Sequence, residues 1–148
     1  MAQNVSVERF RRLTEQLKNE VHIEAVRELY NQANNLREAI EELAPIYSGP
    51  PLPDVDPGAL KSTVRTVPDR SKDTVVRVVA GGRETTHEVA GKPYDYARAV
   101  EFGTVAMSAH PFFFPTYRLM KRRMIAVMKN RITRTIKKYS AESGGGNV

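Results

Sequence analysis

Residues 94–115 read YDYARAVEFGTVAMSAHPFFFP, and six of the chain's eleven phenylalanine and tyrosine residues fall inside them. Tyr96, Ala97, Val100 and Glu101 are spaced as one or two helical turns. Gly103 then permits a left-handed exit that a side chain would resist. Pro111 and Pro115 bracket Phe112, Phe113 and Phe114, which predicts an extended entry to a last helix opening at Pro115, with the three rings alternating in direction. So much ordered apolar surface serves either a corner of the core or a contact in which at least one ring faces a neighbouring subunit.

Working outward, residues 5–43 hold no proline or glycine, and Phe10, Leu13, Leu17, Val21, Ala25, Leu29, Ala33, Leu36, Ile40 and Leu43 recur at gaps of three and four. That spacing draws one apolar stripe along a long helix, capped by Asn4 or Ser6 and stopped by Pro45. At 1.5 Å per residue it would be about 55–60 Å long, so part of it should project or pack on another subunit. A proline-rich linker, residues 45–58, follows. Residues 59–92 are rich in β-branched side chains over 60–67, 74–80 and 83–90, with Gly81-Gly82 suited to a tight hairpin. After the aromatic corner, 93–115, a helix over 115–140 carries the stripe Tyr117, Met120, Met124, Val127, Met128, Ile132, Ile136 and Tyr139, and residues 141–148 have the composition of a mobile tail. The expected class is therefore α+β, one domain over 1–140. It comprises a long N-terminal helix, a small antiparallel sheet of three or four strands, and a long C-terminal helix packed on the sheet.

Composition narrows the chemistry. With no cysteine, disulfides, thiolate metal sites and thiol nucleophiles are excluded. His22, His87 and His110 have no metal-like spacing, no nucleophile elbow appears, and neither glycine cluster has phosphate-loop spacing. No enzyme, cofactor or metal is expected. No apolar run reaches the roughly 20 residues of a membrane span, and the first residues lack a signal peptide's apolar core, so a soluble chain made in the cytoplasm is expected.

The formal charge is +6. Arg118, Lys121, Arg122, Arg123, Lys129, Arg131 and Arg134 crowd the last helix with no acidic residue between them. They have two readings. One is pairing with glutamates of the first helix, within or between subunits; the other is sequence-independent contact with the DNA backbone. Pairing is favoured because Glu15, Glu20, Glu24, Glu28, Glu38, Glu41 and Glu42 supply partners.

The run YARAVEFGT, followed by AHPFFFPTYR and a long charged helix, resembles the small tail-completion or head–tail joining (neck) proteins of long-tailed double-stranded DNA phages and related prophage elements. The matching positions are Tyr96-Ala97, Glu101-Phe102-Gly103-Thr104, Pro111-Phe112 and Pro115, and the order of helix, linker, strands and helix also agrees. The resemblance implies a non-enzymatic virion component forming a ring, sixfold in that family, at the neck. Its partners would be further copies of itself, the head connector or stopper, and the tail terminator or tube, with packaged DNA in the lumen. The alternative class is a DNA-binding accessory protein acting through the basic helix.

Overall fold

A computed structural model describes residues 2–46 and 56–144, with side chains described from residue 7 to residue 141 outside that gap. Most of the proline-rich linker and the end of the tail lie outside the described residues. The architecture is α+β. Helix α1, Ala2–Leu43, runs for 42 residues, so Asn4 and Ser6, expected as caps, lie within its first turns. The last helix, Phe113–Gly144, continues past the expected limit at residue 140.

The strands differ in detail from a single sheet. A one-turn helix α2, Ala59–Ser62, occupies the start of the first expected strand. Strand β1, Arg65–Pro68, pairs antiparallel with β2, Val76–Val79, in the register Arg65↔Val79 to Pro68↔Val76. Strand β3, Thr86–Val89, pairs antiparallel with β4, Lys92–Asp95. These are two separate two-stranded ribbons. Asp69 shapes the first turn: its carboxylate accepts from the Ser71 hydroxyl at 2.7 Å and the Ser71 amide at 2.9 Å, and from Arg77 at 2.7 Å. Those bonds from Ser71, seconded by Arg77, lower its pKa to about 2. The second turn is the pair Ala90-Gly91, both at positive φ, as a two-residue hairpin loop demands.

Gly81-Gly82 does adopt positive φ, yet it links the two ribbons instead of closing a hairpin. The Gly81 amide donates to the Thr63 hydroxyl at 2.9 Å and the Gly82 amide to Thr85 Oγ1 at 2.9 Å. Two hydroxyls therefore take the amides that a ladder would have used, and the chain turns through a 3-10 helix at Arg83–Thr85 into β3.

The chain forms two compact units. In the unit of residues 32–122, Ile40, Leu60 and Thr85 are almost wholly buried, joined by Ala33, Leu36, Ala59, Val64, Ala97, Ala99 and Phe112. The unit of residues 1–31 and 123–148 pairs the first part of α1 antiparallel with the C-terminal part of the last helix. There Arg131 donates to Glu24 at 2.9 Å and the Tyr139 hydroxyl to Gln16 at 2.9 Å. Among its described side chains only Glu28 is buried; Leu13, Leu17, Val21, Met124, Val127 and Ile132 stay half-buried. Two helices alone cannot enclose an apolar stripe.

Candidate assembly site at the head of the last helix

The aromatic corner is assembled from a short helix, a reversed turn and the start of the last helix. Helix α3, Tyr96–Phe102, is capped by Asp95, whose carboxylate accepts the Ala97 amide at 2.9 Å and the Thr85 hydroxyl at 2.7 Å. An Asp ahead of a helical run is a capping signal in the sequence, and Asp95 carries it in addition to the residues expected at this corner. Tyr96 stacks on His87 with centroids 5.9 Å apart and planes at 6°, and burial pushes its hydroxyl above the usual phenol pKa.

Gly103 ends α3 at φ 75°, ψ 175°, the positive-φ exit expected of it. Its amide donates to Ala99 O at 2.7 Å, and the chain then doubles back: Thr104 N donates to Met107 O at 2.8 Å and His110 N to Val100 O at 2.7 Å. A Cβ at Gly103 would meet Ala109 N at 2.9 Å and Met107 O at 3.0 Å, so both backbone angle and space exclude a side chain.

The last helix, here α4, begins at Phe113 and not at Pro115, which corrects the expected extended entry. The cause is Glu101. It is 7% exposed, and its carboxylate accepts the amides of Phe112 at 2.8 Å, Phe113 at 2.9 Å and Phe114 at 3.0 Å. A helix leaves its first four N–H groups without internal partners. Here three go to one carboxylate, and the fourth position is Pro115, which has no N–H. The negative charge also sits at the positive end of the helix macrodipole. Thr116 completes the turn by donating to Phe112 O at 2.5 Å.

The rings leave this helix start in different directions. Phe112 is 4% exposed and enters the core, whereas Phe102 and Phe114, with centroids 5.8 Å apart, are 63% and 45% exposed. Phe113 contacts Phe114 edge-on at 5.5 Å. A groove of about 290 Å³ runs beside them, lined by Val79, Ala80, Ala97, Arg98 and the aromatic rings. Val105, at the tip of the Thr104–Met107 turn, is fully exposed. The structure thus brings Tyr96, Ala97, Glu101, Phe102, Gly103, Thr104, Pro111, Phe112 and Pro115 into one corner with divided duties. Glu101, Gly103 and Phe112 build it, and Phe102 and Phe114 are presented by it.

The basic residues are not gathered at this corner. Arg118, Lys121 and Arg122 lie on α4 in the same unit, all exposed, with Lys121 Nζ 5.9 Å from the Tyr117 ring centroid. Arg123, Lys129, Arg131 and Arg134 lie on α4 in the other unit, and of the seven only Arg131 has an ion-pair partner among the described residues. Among the described residues, the ion pair that joins these seven cations to α1 is that of Arg131 with Glu24.

Compared with family models, curated proteins and solved structures, the chain matches none. Among the described residues, no helix is long and apolar enough to cross a membrane, and no group of three or more His, Asp or Glu side chains is placed to hold a metal ion.

Proposed function

We propose that the chain is a structural subunit of a ring at the head–tail junction of a long-tailed phage or prophage-derived particle. In that ring it would complete the tail and join it to the head connector around the DNA channel. The observation that carries this reading is the pair Phe102 and Phe114, two large rings held in the open on a helix start that Glu101 and Gly103 fix in place. A monomer gains nothing by fixing exposed aromatics so firmly; a neighbouring subunit that covers them does. The half-buried stripe of α1 and α4 in the unit of residues 1–31 and 123–148 supports the same conclusion. Sixfold symmetry, the connector and tail-tube partners and the virion location follow from the resemblance of residues 96–115.

Light scattering and electron microscopy of the purified chain should show closed rings, and Phe102→Ser should abolish them. Because Phe102 is mostly exposed, that variant should lose no more than about 1 kcal/mol of stability. Rings that persist in Phe102→Ser, or a wild-type chain that neither self-associates nor incorporates into particles, would overturn the reading.

A further inference from the structure

We propose that the exposed face of α4 over residues 123–137 binds the phosphate backbone of duplex DNA without reading its sequence. At 100° per residue, Arg123, Lys129, Arg134 and Lys137 share an arc of about 140° and extend along about 21 Å of helix. All four are exposed. Ala126, Asn130 and Thr133 fill the rest of this arc, so it contains neither a carboxylate nor a bulky apolar side chain. Among the described residues none of the four cations has an ion-pair partner, whereas Arg131, pointing the other way, meets Glu24.

Three anionic surfaces compete for such a face, and two fit it poorly. A second copy of the chain brings another +6, so an assembly of identical subunits cannot neutralise itself. Residues 1–31 and 123–148 together hold eleven Lys and Arg against six Glu, which places most of the net charge in this one unit. An anionic membrane would need a continuous apolar face to insert beside the basic one; Ile125 and Ile136 are exposed there, but Met124, Val127, Met128 and Ile132 are half-buried, so no such face is continuous. A polyphosphate backbone needs only spaced, exposed cations and small polar neighbours, as found here. Arg and Lys with no shaped base-reading element give affinity without sequence preference. The proposal does not rest on ring formation.

The test is fluorescence anisotropy of the full chain with a labelled duplex of mixed sequence. Four phosphate contacts predict a log–log salt slope of about −3 to −4, or roughly a hundredfold loss of affinity between 50 and 200 mM salt. The quadruple variant Arg123→Gln, Lys129→Gln, Arg134→Gln, Lys137→Gln should bring the slope close to zero with the helical circular dichroism unchanged. The pairs Arg123→Gln/Lys129→Gln and Arg134→Gln/Lys137→Gln should each remove about half of it. A control neutralising Arg9, Arg11, Arg12 and Lys18 removes equal formal charge and should keep the wild-type slope. The proposal fails if the wild type does not bind, if either pair leaves the slope intact, if the control lowers it equally, or if phosphatidylserine vesicles bind more tightly than DNA.

Discussion

Along α1, Arg27 meets Glu24 at 2.5 Å, Arg37 meets Glu38 at 3.0 Å and also pairs with Glu41, so the helix answers much of its charge within itself. Along α4, nine Lys and Arg lie between residues 118 and 138 with no acidic residue among them. The contrast extends to the helix starts. The first turn of α1 has no acidic residue, while three amides at the head of α4 converge on a buried carboxylate delivered by α3. Neighbouring like charges on a helix each cost a few tenths of a kcal/mol. Helix α1 is therefore held by small terms spread over its length, and α4 by strong terms concentrated at its head.

The largest effect should come from the turn that places that head. Gly103→Val forces a branched side chain into positive φ and against the backbone of Ala109 and Met107, at a cost of about 4 kcal/mol. Thermal melting of the variant would show it; an unchanged melting temperature would mean that the head of α4 does not depend on this reversal. Next comes the cap itself. Glu101→Ala strands three amides, one of them buried, and should cost about 3 kcal/mol by chemical denaturation. Glu101→Gln keeps one acceptor oxygen and should fall between Ala and wild type. A loss below about 1 kcal/mol for Ala would erase the distinction between the two helices.

These two positions also mark how far the chain's structure can be read from its residues. The stripe of α1 is legible because its period persists for some forty residues, and Gly103 is legible because only one residue type adopts its backbone angle freely. The start of α4 lies two residues before the expected Pro115 because the deciding group, Glu101, stands eleven residues before the first amide it binds. No local pattern reports a cap that depends on tertiary structure, and the flanking prolines suggested an extended segment instead. The strands show the same limit. Alternating β-branched residues mark a strand but not its partner, and the Thr63 and Thr85 hydroxyls that divert Gly81-Gly82 act across 18 and 3 residues. Which phenylalanine is buried and which presented was equally hidden, since it follows from the rotation that Glu101 imposes on the first turn.

The smallest effect sharpens the comparison from the side of charge. Glu24, itself 18% exposed, accepts from Arg27 on its own helix and from Arg131 of α4, whose side chains are 59% and 42% exposed, so each pair keeps one partner in solvent. Exposed pairs contribute between almost nothing and about 1 kcal/mol each, and salt screens them. Glu24→Gln should therefore lower stability by about 1 kcal/mol at low ionic strength and by less in about 1 M salt. If the loss instead exceeded about 2 kcal/mol and persisted in salt, the pairing of α1 with α4 would rest on this carboxylate and not on the apolar stripe. The small, salt-sensitive loss is expected because Leu13, Leu17, Val21, Val127, Met128 and Ile132 remain in place, each half-buried, whatever the charge at residue 24.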